Sequence, residues 1–172
     1  ATKFATGLDF SLKNFGFIDE ITLAQTGING KMSEFNSALG LVQLKHIDEV
    51  IAKRKFISDT YTAQIAKIKG ISCLEDDGAH KKNYSYFPVV VQDDYPLTRD
   101  NLYEFLKLNG IHTRRYFYPL ISDFPMYRDF PSASRENLKV ATQVAEQILC
   151  LPIYPDLSKS TVDKICQLLN AK

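Results

Sequence analysis

An imbalance of charge is the first thing missing from this sequence. Lys and Arg total 21 and Asp and Glu 20 in 172 residues, a formal net charge of +1. That balance leaves no broad electrostatic footprint for nucleic acid or an anionic membrane. Paired cysteines are missing too. Cys73, Cys150 and Cys166 are odd in number and far apart. Without a C-x-x-C pair they argue against a zinc knuckle or a disulfide framework, and for reduced thiols. No apolar run approaches the ~18 residues of a membrane span. Ala1 to Asn14 lack the basic start and apolar stretch of a signal peptide. These absences point to a cytoplasmic protein with neither nucleic acid nor membrane as partner.

Several kinds of site are absent as well. There is no Gly-x-x-x-x-Gly-Lys-Ser/Thr phosphate loop, no Gly-x-Gly-x-x-Gly and no Gly-x-Ser-x-Gly elbow. His46, His80 and His112 lack metal-ligand spacing to one another or to cysteine, so no metal site is expected. The run Glu75-Asp76-Asp77 lacks the alternating oxygen ligands of a calcium loop and reads as a solvated turn. Internal repeats and low-complexity linkers are also absent.

What is present is an ordinary globular composition, 45% hydrophobic and 24% charged, in a chain of single-domain length. Leu8 to Lys13 reads as the tail of a helix, stopped at Asn14-Phe15-Gly16-Phe17. Ser33 is a good N-cap, with Glu34 suited to the first turn. From Ser33 to about Ile68 apolar residues recur at steps of three and four with no proline. This predicts one helix of over 30 residues. A helix so long should expose an apolar patch where a larger body would pack, with self-association as one way of covering it. Gly40 inside it is either a modest local cost or a point of close backbone approach.

Beyond Gly70, strands are predicted at 71–74, at 84–91 with Pro88 hinting at an edge or bulge, and at 111–118. Helices are predicted from Thr98 to about Asn109, over 135–149, and from Ser158 onward. The order α-β-β-α-β-α-α predicts an α+β domain with a small, mostly antiparallel sheet packed by helices.

Two segments carry potential chemistry. Gly27-Ile28-Asn29-Gly30-Lys31-Met32 precedes a helix start, where free backbone N–H groups and the helix dipole favour an anion. It reads either as a phosphate-binding corner or as an ordinary entry loop. Thr113-Arg114-Arg115-Tyr116-Phe117-Tyr118-Pro119 places two cations before three aromatics. It reads either as a stacking site for a nucleotide or as a strand with aromatics in the core.

Taken in order, Asn14-Phe15-Gly16-Phe17, Gly27 to Phe35, Ala38 to Leu44, Arg54, Tyr61, Gly110 to Arg114, Tyr118-Pro119-Leu120, Phe124 to Tyr127 and Leu151 to Pro155 form a specific set. It resembles the DegT/StrS family of pyridoxal-phosphate-dependent nucleotide-sugar aminotransferases, from about residue 8 onward. The resemblance implies an aspartate-aminotransferase-like, fold type I architecture. Residues 1–32 would be a remnant of the large cofactor domain with its connecting loop, and 33–172 the C-terminal small domain. It implies a homodimer with active sites at the subunit interface. Asn29 would bond the cofactor phosphate of the neighbouring subunit, and Lys31 would make a single-point contact where many members carry Arg. Phe117 and Tyr118 match a segment lining the sugar-nucleotide pocket, with Tyr116 and His112 beside them.

The implied activity of the parent enzyme is transfer of an amino group, usually from glutamate, to a nucleotide-linked keto-deoxysugar for O-antigen or other surface-polysaccharide synthesis. That chemistry needs a Schiff-base lysine and an aspartate for the pyridine nitrogen, both upstream of the segment matching Asn14. Ala1-Thr2-Lys3 echoes the end of the lysine motif. Only ten residues separate Lys3 from Asn14, too few for the strand and helix the family carries between them. No catalytic residue is therefore assigned, and cofactor binding by this chain alone is not expected. The rival reading is a non-catalytic truncated homologue serving as a dimerisation or nucleotide-sugar-binding module.

Overall fold

In a computed structural model, which describes residues 21–22, 26–28, 30, 32–74, 78 and 80–171, Ser33 caps a helix as expected. Its backbone is extended and its Oγ accepts from the Asn36 N–H at 3.3 Å. The helix, α1, runs Glu34–Leu44. There the predicted single helix divides. The Lys45 N–H bonds the Val42 carbonyl and the His46 N–H the Gln43 carbonyl, each three residues back. This tightens the chain into a turn before α2, Ile47–Ile65. The apolar spacing continues through the turn, so periodicity alone could not reveal it. The chain forms two units on either side of the junction, Ala1–Ile47 and Asp48–Lys172. The first contains α1, of which no residue is buried.

In the second unit α2 turns Ile57, Tyr61 and Ile65 inward at steps of four. Its outer face carries the Glu49–Lys53 and Lys55–Asp59 ion pairs at 2.7 and 2.6 Å, each worth only a few tenths of a kcal/mol. The sheet has three antiparallel strands in the order β1-β2-β3: β1 Ile71–Cys73, β2 Phe87–Val91 and β3 Ile148–Leu151. Val89 pairs with both Cys73 and Leu149. Phe87, Val89 and Val91 of β2 and Leu149 and Leu151 of β3 face one core. They share it with Tyr61, with Leu102 and Leu106 of α3 (Arg99–Leu108), and with Val162, Ile165 and Leu169 of α5 (Lys159–Asn170). The Tyr61 ring stacks on Phe87 at 4.8 Å, and its hydroxyl donates to the Pro152 carbonyl at 3.1 Å.

Pro88 lies in the central strand, not at the predicted edge. Its partner Cys150 uses its own N–H and C=O on Arg114, so no ladder bond is asked of the proline. On its other side the pairing with β1 ends at Val89. The predicted helix over 135–149 is shorter. Helix α4 is Lys139–Gln147, and Ile148 passes directly into β3, all four of whose residues are buried. Ile148 and Leu149 fit the helical spacing but are taken by Val90 and Val89. The predicted strand over 111–118 does not form: only Arg114 bridges Cys150, and the chain then turns.

Candidate functional site

Segment 111–118 begins where α3 ends. Gly110 adopts φ 78°, its N–H bonds the Lys107 carbonyl, and the Ile111 N–H reaches back to Leu106. This is a Schellman closure, which satisfies the last carbonyls and sends the chain away at a set angle. Ile111 and Thr113 then turn inward, while His112 and Arg114 face out. The single Arg114–Cys150 bridge pins the segment to the edge of β3. Beyond it Phe117 takes φ 48°, uncommon for a bulky residue, and Tyr118–Pro119 is cis. The three aromatics therefore do not alternate across a sheet. Phe117 and Tyr118 remain 68% and 45% exposed.

Two clefts flank the segment. One, of about 300 Å³, is lined by Tyr86, Arg114, Arg115, Tyr116, Phe117 and Tyr118. The other, of about 330 Å³, lies along 150–154 and holds His112, sharing Tyr86 and Arg114 with the first. Tyr116, Phe117 and Tyr118 thus share one cleft, and His112 lines the other. Tyr116 packs against Phe117 at 4.4 Å and edge-on against Tyr86 at 5.4 Å. Arg115 lies over the Tyr103 ring at 4.4 Å, with its Nε 3.3 Å from Asp100. Sequence reasoning missed Tyr86 and Tyr103. They come from other elements, and only the aromatic run Tyr84-Ser85-Tyr86 offered a signal for the first.

The linings contain arginines, aromatics and one histidine, with no lysine or carboxylate among them. Such a surface recognises a flat or anionic ligand by stacking and charge. It holds no carboxylate pair for proton transfer. Burial pushes the Cys150 and Cys166 thiols up to about 11, so neither is a thiolate nucleophile at neutral pH. His46 is exposed at the α1–α2 turn and His80 is exposed in its loop. Among the described residues no group of three His, Cys, Asp or Glu could hold a metal ion. No helix among them is long and apolar enough to cross a membrane.

Asn29 and Lys31, the expected phosphate contacts, lie outside the described residues, as do Lys3, Leu8 to Phe17 and the run Glu75-Asp76-Asp77. A pyridoxal phosphate group needs a lysine for its aldehyde and a carboxylate for its ring nitrogen. Neither cleft supplies them, so neither cleft by itself fits that cofactor.

Residues 8–170 match the DegT/DnrJ/EryC1/StrS aminotransferase family. The chain is 52% identical over 161 residues to a dTDP-4-amino-4,6-dideoxy-D-glucose transaminase of Escherichia coli, covering 94% of this chain and 43% of that protein. It is 42% identical over 154 residues to a transaminase of the same description from Shigella dysenteriae, covering 90% and 41%. Among solved structures, DesI in the presence of its TDP-sugar product superposes with a TM-score of 0.77 at 29% identity, over 94% of this chain and 41% of that one. An aminotransferase of the same family from Brucella abortus superposes at 0.77 and 20% identity, over 99% and 44%, and shows the same fold. The chain spans less than half the length of the relatives it matches. The small antiparallel sheet packed by helices is the expected fold, that of part of a fold type I aminotransferase, with the expected long helix divided in two. With a match running over nearly its whole length, this chain belongs to the DegT/DnrJ/EryC1/StrS aminotransferase family.

Proposed function

We propose that this chain is the C-terminal part of a pyridoxal-phosphate-dependent aminotransferase that converts a nucleotide-linked keto-deoxysugar, with glutamate as amino donor, in the cytoplasm. In this reading residues 1–32 belong with the cofactor domain and 33–172 are the small domain. The enzyme is a homodimer, and Asn29 and Lys31 reach the cofactor phosphate of the neighbouring subunit. Tyr116, Phe117 and Tyr118 line the sugar-nucleotide pocket, with His112 at its margin. The observation that carries the reading is the 52% identity to a dTDP-sugar transaminase across 94% of the chain. The cleft of two arginines and three neighbouring aromatics supports it, since a nucleotide diphosphate offers both a ring to stack and charge to pair.

The test is a chimaera. The matching segment of the Escherichia coli relative is replaced by this chain, and glutamate-dependent amination of the dTDP-linked sugar is measured. Turnover supports the reading. A folded, cofactor-loaded chimaera without turnover overturns it. The chain alone, mixed with pyridoxal phosphate, is expected to show no lysine-bound cofactor absorbance in the visible range. A band that disappears on Lys3→Ala would reverse that expectation.

The interaction-module reading has one observation in its favour. Phe35, Leu39, Leu41, Val42 and Leu44 on α1 are all more than half exposed, as an association surface would be.

A further inference from the structure

Arg99 lines neither cleft, yet it is tied to the elements around the first of them. It opens α3 and is only 3% exposed. Its Nη1 donates to the Ala145 carbonyl at 2.8 Å and the Ile148 carbonyl at 3.3 Å, where α4 passes into β3. A cation suits that helix end, whose free carbonyls carry partial negative charge. The guanidinium carbon also lies 4.6 Å from the centroid of the Tyr118 ring. Arg115 approaches the same ring at 5.7 Å and Tyr103 at 4.4 Å. Asp100 Oδ1 lies 2.8 Å from Arg99 Nε and 3.3 Å from Arg115 Nε, so one carboxylate serves both cations. The turn that carries Tyr116, Phe117 and Tyr118 is thus held on α3 by two guanidinium groups and one shared anion.

We propose that Arg99 is a positioning residue for the cleft: its guanidinium, fixed on the α4–β3 carbonyls, holds the Tyr118 ring and with it the conformation of the 115–119 turn. The planar group suits this role. Its edge donates to carbonyls while its face meets an aromatic ring, a combination that the point charge of lysine lacks. That the turn serves a nucleotide-sugar ligand rests on the function proposed above. That Arg99 holds the turn does not.

The chain contains no tryptophan, so Phe117→Trp installs a single indole reporter on the turn. Acrylamide quenching of that reporter is measured in the full 172-residue chain with Arg99→Met, Arg99→Lys, Tyr118→Leu and the Arg99→Lys/Tyr118→Leu pair, alongside Tm. Arg99→Lys and Tyr118→Leu are each expected to raise the quenching constant by about twofold, and the pair no further, because they break one contact. Tyr118→Leu should do so with little change in Tm, since it leaves the carbonyl bonds intact. A fall in Tm for Arg99→Met or Arg99→Lys with unchanged quenching would make Arg99 only a staple of the α4 end and overturn the proposal. Effects that add in the pair would overturn it too. Should Arg99→Met fail to fold, the lysine and leucine variants decide. Titration of the reporter chain with dTDP is read separately. No response counts against the proposed pocket, while the quenching result still settles Arg99.

Discussion

Gly70 adopts φ 80°, and a Cβ placed there would lie 2.6 Å from the backbone of Tyr95. The Gly70 carbonyl accepts from the Gln92 N–H at 2.8 Å, so the chain cannot simply move away. Gly70→Ala should therefore destabilise the second unit by about 2–4 kcal/mol, read from urea unfolding with an unchanged m-value. Tyr61→Phe removes one hydroxyl bond to Pro152 and keeps the stack on Phe87, so a loss of about 1 kcal/mol is expected. The cysteines set a pH limit. Burial raises Cys150 and Cys166 from the ordinary 9.0 to about 11, and raises Tyr61 as well. The unfolded chain then gives up protons that the folded chain keeps. Stability is full below pH 9 and falls between pH 9 and 11. Thermal melts across that range should show a declining Tm, and Cys166→Ala should flatten the slope while lowering the plateau. The approach of Tyr95 to Gly70 was not legible in the sequence, because the two lie 25 positions apart.

Among the elements, the caps were the most legible. Ser33, Thr98 and Ser158 all cap helices as their side chains predict, each accepting from an N–H three residues on. Thr98→Ala should cost about 1 kcal/mol and Thr98→Ser almost nothing, measured by chemical denaturation. Cap chemistry is local, which is why it can be read along the chain. Two of the elements that differed depend on partners elsewhere. Ile148 and Leu149 become strand because β2 is there to pair with them. Tyr116 to Tyr118 leave the strand after the single Arg114–Cys150 bridge, and the chain turns at Phe117 with φ 48°. The α1–α2 division rests on two tightened backbone bonds at Lys45 and His46, which no side-chain pattern records.

For the whole molecule, the apolar surface of α1 is the feature with the largest expected consequence. Phe35 is 90% exposed and Leu41 and Leu44 each 65%. Exposed apolar side chains around a helix favour association in water. Light scattering is expected to show the chain larger than a monomer at micromolar concentration, and Phe35→Asp with Val42→Lys to return it toward monomer without changing Tm. A monomeric unsubstituted chain would contradict this. The relatives that the chain matches are more than twice its length, which fits a surface made to be covered.

By itself the sequence determined the caps, the helical spacing of α2 and a small antiparallel sheet and, through its resemblance, the family. The caps and the helical spacing follow from residue types and spacings a few positions apart, where sterics, hydrogen bonding and burial act locally, whereas the family rests on the resemblance of an ordered set of motifs along nearly the whole chain. Only the tertiary structure decided which residues meet in the cleft. Tyr86 reaches the aromatic turn from the chain just before β2, while Arg99 and Tyr103, which line neither cleft, reach it from α3. Stacking and charge pairing act over a few ångströms in space, and distances along the chain carry no record of them.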